Sequence, residues 1–250
     1  MTVALETINL VKRFSGIVAS NNVSLRIAKG ARHALIGPNG AGKTTLINLL
    51  TGVQKPTSGR ILLDGEDISN LSTHERVRLG IVRTFQINQL FSDLTPLETV
   101  GLAVSERRGQ GLDWWRVVGS RPDLVIEVVE ILERFHLTDV IDKRTAVLPY
   151  GKQRLLEIAV AIACRPRVLL LDEPAAGVPE DERHEILAAV ETLPKDVTVL
   201  LIEHDMDLVF SFASRISVLV AGRLLTEGAP EEIAADERVR AVYLGEDAHG

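Results

Sequence analysis

The sequence predicts an α/β fold with a largely parallel sheet, an N-terminal antiparallel β part and an inserted helical subdomain. Short runs of β-forming residues recur along the chain, and helical patterns lie between several of them. Between about residues 95 and 163 the strand signal fades and amphipathic helix dominates, most clearly in Leu124–Phe135. Because strands that alternate with helices usually form a parallel sheet covered by those helices, we expect an α/β core with a helical insertion.

The individual elements follow from the same patterns. Val168–Leu171 is apolar at every position, which is typical of a strand buried on both faces. Glu180–Leu193 and Asp205–Ala213 are helix-like stretches able to cover those faces, and the glycine-containing segment Arg107–Pro122 predicts a loop. The other expected strands are Val3–Leu10, Val23–Ile27, Ala31–Ile36, Arg60–Leu63, Ile81–Phe85, Val197–Ile202 and Ile216–Val220.

Charge and cysteine content narrow the class of protein. The formal net charge of −6 over 250 residues gives no reason to expect a nucleic-acid partner, because nucleic-acid-binding surfaces are normally strongly basic. Cys164 is the only cysteine, so no intramolecular disulfide can form, and the first residues lack the basic and apolar regions of a signal peptide. Both observations predict a cytosolic protein. Apolar runs such as Val197–Ile202 are far shorter than the roughly 18 residues of a membrane-spanning helix, so a membrane role would require a partner.

The strongest motif is a glycine-rich loop between an expected strand and an expected helix. It reads Gly37-Pro38-Asn39-Gly40-Ala41-Gly42-Lys43-Thr44, with Thr45 opening the helical run, and so has the form G-x-x-x-x-G-K-T of the P-loop NTPases. The glycines let backbone N–H groups point at a phosphate, and the helix N-terminus attracts its charge. Lys43 would neutralise the β- and γ-phosphates, and the Thr44 hydroxyl would ligate Mg²⁺. The motif predicts a site for a nucleoside triphosphate.

Two acids follow the buried strand Val168–Leu171. Asp172 and Glu173 would lie at the carboxyl end of the sheet, where open α/β sheets bind ligands. Asp172 would support Mg²⁺, and Glu173 is suited to polarise the attacking water as general base. Taken alone, two acids at a strand end are as often a helix-capping or turn device. Their combination with the phosphate loop favours hydrolysis.

At this point the chain resembles the ABC ATPase family over nearly its whole length, because further motifs occur in the family's order. The resemblance implies that Phe14 stacks on adenine, that Gln86 senses Mg²⁺ and couples to the helical subdomain, and that His204 contacts the γ-phosphate and the catalytic glutamate. It also implies that a signature segment binds the γ-phosphate held by the opposite subunit. That segment is Leu148, Pro149, Tyr150, Gly151, Lys152 and Gln153. Singly, each residue has an ordinary structural explanation, and their order supports the functional one.

Two positions depart from the family pattern. The family usually has serine where this chain has Pro149, so a hydroxyl donor is missing and the proline has no N–H. The loop after Glu173 commonly ends in aspartate, whereas here it reads Ala175-Ala176-Gly177-Val178-Pro179. Both departures leave the composite site between subunits in question.

Several stretches are similar to the ATPases of branched-chain amino acid uptake, among them the ending Ala241–Glu246. The resemblance implies ATP and Mg²⁺ as cofactors and a peripheral position on the cytoplasmic face of the cell membrane. It further implies permease subunits, a second ATPase subunit in a homodimer or heterodimer, and a substrate-binding protein. The expected organisation is one ABC ATPase domain over residues 1–250, with a helical subdomain at about 88–163 and a C-terminal tail at 223–250.

Other functions stay open at this level. The tail Tyr243–Glu246 also resembles lipopolysaccharide-export ATPases, and Pro149 and Pro179 suggest a subunit that binds ATP as a clamp without hydrolysis. A soluble ABC protein of translation or DNA repair would typically have two cassettes or a long insertion, which 250 residues do not contain. The leading hypothesis is therefore an importer ATPase for branched-chain or other hydrophobic amino acids.

Overall fold

The structure is a computed structural model that describes residues 2–84, 90–109 and 122–244. The chain divides into two compact units. The first consists of Met1–Ile81, Arg167–Glu173 and Lys195–Gly250, and the second of Val82–Pro166 and Pro174–Pro194. Among the helices in the described ranges, none is long and apolar enough to cross a membrane.

An antiparallel sheet lies in the first unit. Its strands are β1 (Val3–Phe14), β2 (Ile17–Val23), β3 (Arg26–Ala28), β5 (Ser58–Leu63) and β6 (Glu66–Asp67). The order is β2-β1-β5-β6, and β3 also pairs with β1, at the opposite end of that strand from β2. The N-terminal antiparallel β part expected from the sequence is thereby confirmed.

The prediction of one continuous strand over Val23–Ile27 is wrong, because β2 ends at Val23 and β3 begins at Arg26. The Thr7 hydroxyl donates to the Val23 carbonyl at 3.0 Å and accepts the Leu25 N–H at 2.9 Å. The Thr7 side chain thus bridges the two strands at the break, while the Thr7 N–H donates to the Leu25 carbonyl at 2.9 Å. The alternation of apolar and polar residues continues through the break, which is why the pattern alone did not reveal it.

A larger sheet contains the remaining strands. In order across the sheet they are β11 (Arg223–Gly228), β10 (Arg215–Val220), β4 (Arg32–Ile36), β9 (Thr198–Ile202), β8 (Val168–Asp172) and β7 (Ile81–Arg83). The four strands β10, β4, β9 and β8 are parallel to one another, and β11 is antiparallel to β10. Every residue of β9 is buried, as are the four apolar residues at the start of β8. These features confirm an α/β fold with a largely parallel sheet.

Both units contain helices. Those in the described residues are α1 (Lys43–Leu50), α2 (Thr73–Arg78), α3 (Pro96–Arg107), α4 (Pro122–Arg134), α5 (Tyr150–Ala163), α6 (Glu180–Glu191), α7 (Met206–Phe212), α8 (Pro230–Ala235) and α9 (Glu237–Leu244). In the first unit, Leu46 and Leu50 of α1 are fully buried in one cluster with strand residues such as Leu35 and Leu200. This packing fixes the helix that follows the glycine-rich loop.

A buried arginine terminates that helix. The Arg76 guanidinium donates to the carbonyls of Leu49 at 2.5 Å, Leu50 at 2.9 Å and Ser69 at 3.0 Å. Burial lowers the pKa of Arg76 from its ordinary value. A cation at the carbonyl end of a helix complements the helix dipole and satisfies carbonyls that have no partner inside the helix. Arg76 therefore stabilises α1 at the end opposite the glycine-rich loop.

In the second unit, α3, α4 and α5 are joined by an ion cluster around one carboxylate. Glu127 of α4 accepts hydrogen bonds from Arg107 at 2.8 Å, Arg108 at 2.5 Å and Arg165 at 2.7 Å. Burial of the Glu127 carboxyl raises its pKa, but the three guanidinium groups outweigh this and lower the pKa to about 2. The cluster links the C-terminal end of α3 and the middle of α4 to Arg165, two residues beyond the end of α5.

The predicted loop Arg107–Pro122 is only partly tested, because most of it lies outside the described residues. Arg107 is the last residue of α3 and Pro122 the first of α4, so both ends of the segment are helical. The predicted subdomain boundary near residue 88 also lies outside the described residues. The helical subdomain at about 88–163 and the tail at 223–250 stay predictions.

We predict that Glu127→Gln lowers the free energy of unfolding by about 1.5–3 kcal/mol near pH 7, because hydrogen bonds to a charged group are lost. The pKa of Glu127 is lowered on folding, so its contribution is complete above the ordinary value of 4.5 and is lost as the pH falls toward 2. Urea unfolding at several pH values tests this. The difference between variant and parent should shrink below pH 4.5, whereas Glu133→Gln, at an exposed position of α4, should change little at any pH.

Candidate functional site

The glycine-rich loop has the predicted strand–loop–helix context. It leaves β4 at Ile36 and enters α1 at Lys43. Gly40 and Gly42 have φ values of 76° and 100°, a region that residues with a Cβ rarely adopt. No side-chain hydrogen bond caps α1, and backbone N–H groups at a helix N-terminus can bind an anion. The backbone is therefore shaped to receive an anion at this helix end.

Neighbouring strands press directly against this loop. A Cβ placed on Gly37 would lie 2.1 Å from the Leu219 carbonyl oxygen, and one on Gly42 would lie 2.5 Å from the Ala19 carbonyl oxygen. The N–H of Gly222, in the turn between β10 and β11, donates to the Ala41 carbonyl at 2.8 Å. The loop is thus held between β2 and the β10–β11 turn, and glycine is needed for close backbone approach as well as for φ.

The ammonium group of Lys43 lies against the backbone carbonyls of the glycine-rich loop. Lys43 Nζ makes a close contact with the Gly37 carbonyl oxygen and lies 3.2 Å from the Pro38 carbonyl oxygen. Lys43 is half-buried, and the next residue, Thr44, is exposed at the start of α1. An ammonium group and a hydroxyl are therefore present together at the helix end that attracts phosphate.

Three strand ends meet at the same edge of the larger sheet as this loop. Ile202 of β9 is aligned with Leu35 of β4 on one side and with Asp172 of β8 on the other. Because β4, β9 and β8 are parallel, the residues after each of them leave the sheet at one level. The Glu173 N–H donates to the Ile202 carbonyl at 2.9 Å, and Glu173 has a φ of 47°. Asp172 and Glu173 therefore lie beside the loop that follows β9.

The loop after β9 supplies an imidazole and a second carboxylate. His204 Nδ1 lies 3.9 Å from Glu173 Oε1 and 3.6 Å from Glu203 Oε2. The His204 N–H also donates to Glu203 Oε2 at 3.1 Å. Glu203 has a side-chain exposure of 1%, against 65% for His204. The sequence prediction brought together Glu173 and His204 but missed Glu203, whose only signal was an acid that directly follows an apolar strand.

Phe14 lies at the end of β1, opposite Ile17 in the β1–β2 hairpin. Its ring is partly exposed, and Lys12 Nζ lies 4.9 Å from the ring centroid. The strand β2 of the same hairpin provides the Ala19 carbonyl that contacts the glycine-rich loop. An exposed aromatic face is therefore present on the hairpin that packs against the loop.

The signature segment lies in the second unit. Helix α5 begins at Tyr150, and its N-cap, Pro149, provides no side-chain hydrogen bond. Gln153 Nε2 donates to the Leu148 carbonyl at 2.9 Å, and Lys152 Nζ donates to the His136 carbonyl at 2.5 Å. Both side chains therefore bind backbone carbonyls of their own unit next to the first turn of the helix.

One turn into α5 an acid and a base are buried together. Arg154 Nη1 donates to Glu157 Oε2 at 2.8 Å. Burial raises the pKa of Glu157 to about 7, against the opposing effect of Arg154. Arg154 also lies with its guanidinium carbon 5.6 Å from the centroid of the Tyr150 ring. The pair therefore anchors the first turns of the helix in the unit. Gln86, the remaining site residue predicted from the sequence, lies outside the described residues.

Comparison with known proteins defines the class. The ABC transporter family model matches residues 20–176, and a model described as branched-chain amino acid ATP-binding cassette transporter matches residues 223–249. The chain is 41% identical over 251 residues to the high-affinity branched-chain amino acid transport ATP-binding protein BraF of Pseudomonas aeruginosa. That alignment covers 97% of this chain and 98% of the relative.

Solved structures agree with this result. The ADP conformation of MJ1267, an ATP-binding cassette of an ABC transporter, has a TM-score of 0.84 at 32% identity and covers 98% of this chain and 100% of that one. A dimeric post-hydrolysis state of the cassette MJ0796 bound to ADP and Pi has a TM-score of 0.77 at 25% identity, with 90% of this chain and 98% of that one covered.

The chain belongs to the ABC transporter family and is one of its ATP-binding subunits. It is an ATPase, as the glycine-rich loop and the acids Asp172 and Glu173 predicted. Subunits of this class dimerise and act together with permease components. The resemblance to the ABC ATPases inferred from the sequence motifs is confirmed.

The close backbone contacts behind the loop lead to a prediction about Gly222. Gly222→Ala should weaken ATP binding about tenfold, because a Cβ there would lie 2.7 Å from the Ala19 carbonyl oxygen and would displace the turn that holds Ala41. Gly65→Ala is a matched control, since Gly65 also has a positive φ, of 88°, but nothing within 4 Å of its Cβ position.

Both alanines incur the backbone strain of about 1–2 kcal/mol, so both variants should be destabilised. Isothermal titration with ATP should separate them. If Gly222→Ala binds ATP as well as Gly65→Ala does, the β10–β11 turn does not shape the loop.

Proposed function

We propose that this chain supplies the energy for uptake of branched-chain or other hydrophobic amino acids. The observation that supports this most directly is the match of residues 223–249 to the model of branched-chain amino acid cassettes. The name of the relative BraF, which aligns over nearly the whole of both chains, points to the same class of cargo. Because an ATP-binding subunit has little contact with the transported molecule, its permeases and binding protein choose the substrate.

In the proposed cycle, ATP binds to the glycine-rich loop. Backbone N–H groups between Gly37 and Gly42 and the start of α1 receive the phosphates. Lys43 neutralises their charge, with Asn39, Ala41 and Thr45 completing the contact surface of the loop. The adenine stacks on Phe14, whose exposed ring lies on the hairpin behind the loop.

The residues at the strand ends fit a magnesium ion, because hydroxyl and carboxylate oxygens are the ligands that Mg²⁺ prefers. Thr44 and Asp172 are the proposed ligands, with Gln86 as a third from the sequence resemblance. When bound, Mg²⁺ would neutralise charge on the phosphates.

Glu173 is the proposed general base. Its backbone N–H donates to the Ile202 carbonyl of β9, which holds the residue at the sheet edge, and its partly exposed carboxylate is proposed to orient water. His204 is proposed to contact the γ-phosphate and Glu173. The buried carboxylate of Glu203 accepts the His204 backbone N–H and lies 3.6 Å from Nδ1, and we propose that Nε2 is the ring nitrogen that contacts the substrate.

The signature residues Leu148–Gln153 are proposed to act in trans, on the ATP held by a second ATPase subunit. The start of α5 would then face the γ-phosphate of the opposite nucleotide. The wider complex comprises permeases, either a second copy of this chain or a different ATPase, and a substrate-binding protein. The chain is proposed to be peripheral, at the cytoplasmic face of the membrane.

Two other functions are less well supported than amino acid import. An exporter of lipopolysaccharide type would use the same site, but the C-terminal match favours amino acid import. A clamp that binds ATP without hydrolysis is disfavoured because Lys43, Asp172, Glu173 and His204 are all present at one sheet edge.

The division of roles within the site yields a prediction. Lys43→Ala should weaken ATP binding at least tenfold, because it removes the cation closest to the phosphates, whereas Glu173→Gln should bind ATP normally and lose hydrolysis. Binding is measured with a fluorescent ATP analogue and hydrolysis by phosphate release from the assembled complex. Lys195→Ala, at an exposed position, is the control for loss of a lysine. Equal ATP affinity in Lys43→Ala and in the parent would contradict the assignment.

The cargo is tested in proteoliposomes. The complex purified through this chain, with its permeases and binding protein, should take up radiolabelled leucine or valine only when ATP is present on the side of this subunit. The same vesicles with Glu173→Gln are the control for uncoupled leakage. Uptake of a polar amino acid in place of leucine would show that the proposed cargo is wrong. ATP-driven release of lipid would show that the complex is an exporter.

A further inference from the structure

The signature helix α5 is capped by a residue from a different helix. Its N-cap is Pro149, no side chain of the neighbouring sequence accepts from its first N–H groups, and its first turn contains no acid. Instead, the Gly151 N–H donates to Glu182 Oε2 of α6 at 3.1 Å. A Cβ on Gly151 would lie 2.3 Å from the same oxygen atom. The carboxylate therefore lies directly against the bare Cα and the N–H of Gly151.

Further contacts tie the start of α5 to the segment that leads into α6. The Tyr150 hydroxyl donates to the Ala176 carbonyl at 3.1 Å, and Arg154 Nη2 lies 3.4 Å from the same carbonyl oxygen. All of these residues belong to the second unit. None of these contacts involves the Glu182 carboxylate, so it can leave Gly151 while the segment keeps its attachment to α5.

An N–H group at a helix N-terminus is where a phosphate oxygen binds, and here a carboxylate oxygen already occupies it. If the signature acts in trans, the γ-phosphate of the opposite subunit approaches the same N–H. Two anions cannot share that donor at contact distance, because like charges repel in a partly buried site.

We propose that Glu182 is an autoinhibitory residue that occupies the γ-phosphate position of the signature in the free chain. The inference rests on the proposed trans role of the signature. Glu182 must leave Gly151 before the ATP-bound dimer closes. Because breaking this contact costs free energy, the contact raises the ATP concentration that closure requires. It also stabilises α5 in place of the side-chain cap that Pro149 cannot provide. Glu182 thus favours the open state because it accepts the Gly151 N–H, and it opposes the closed state because its negative charge repels the γ-phosphate.

The experiment uses the assembled complex in which Glu173→Gln blocks hydrolysis, with the same change in the partner ATPase if that subunit is a different chain. Closure is measured as radiolabelled ATP retained through rapid gel filtration, over a range of ATP concentrations. Glu182→Gln is compared with Glu185→Gln, which removes an acid at an exposed position of the same helix. The melting temperature of each isolated chain is recorded in parallel.

Glu182→Gln should lower the ATP concentration for half-maximal retention about fivefold, within the usual range of coupling between sites. The same variant should lower the melting temperature of the isolated chain, because the Gly151 N–H loses a charged acceptor. Glu185→Gln should change neither quantity. Opposite effects on closure and on stability distinguish inhibition from a purely structural cap, which would weaken both.

Two results would overturn the proposal in different ways. If the parent complex retains ATP and Glu182→Gln retains it at the same or a higher ATP concentration, Glu182 does not compete with the phosphate, and the trans role of the signature stands. If the Glu173→Gln complex binds ATP normally but retains none, the signature does not close over nucleotide. Both the trans role and the proposal for Glu182 then fail.

Discussion

The parallel register of β4, β9 and β8 is the constraint on which the site in the first unit depends. Ile202 is aligned with Leu35 on one side and with Asp172 on the other, so three chain segments leave the sheet at one level. Each segment places different groups there: the glycine-rich loop after β4, the imidazole of His204 after β9, and the carboxylates of Asp172 and Glu173 at the end of β8. A shift of one residue in any of these strands would turn its buried side chains to the other face and would separate these groups.

Close backbone packing makes this arrangement specific. The glycine-rich loop is pressed between the Ala19 carbonyl of β2 and the β10–β11 turn, at distances that leave no space for a Cβ on Gly37, Gly42 or Gly222. At the far end of α1, Arg76 binds the terminal carbonyls. The helix is thereby held at both ends by contacts with the surrounding chain.

Charge is organised differently in the two units. In the first, the buried carboxylate of Glu203 and the exposed one of Glu173 both lie within 4 Å of His204 Nδ1, so negative charge is concentrated beside that ring. In the second, Glu182 compensates a helix start that Pro149 leaves without a cap. Pro149, a departure from the family pattern in the sequence, is thus accompanied by a carboxylate supplied from α6.

The sequence by itself determined the α/β class, the phosphate loop, the acids after β8 and the family, because each depends on local spacing: strand, glycine-rich turn, helix and apolar run lie next to one another in the chain. Only the tertiary structure decided the break between β2 and β3, the position of Glu203 and the contact of Glu182 with Gly151. In the first and third cases the partner is distant in sequence, because the Thr7 hydroxyl bridges Val23 and Leu25, and Glu182 reaches a helix that starts about thirty residues earlier. In the second case the pattern does not show that Glu203 turns inward beside His204. Periodicity reports which residues are buried, but a hydrogen bond between distant segments follows from how the chain packs.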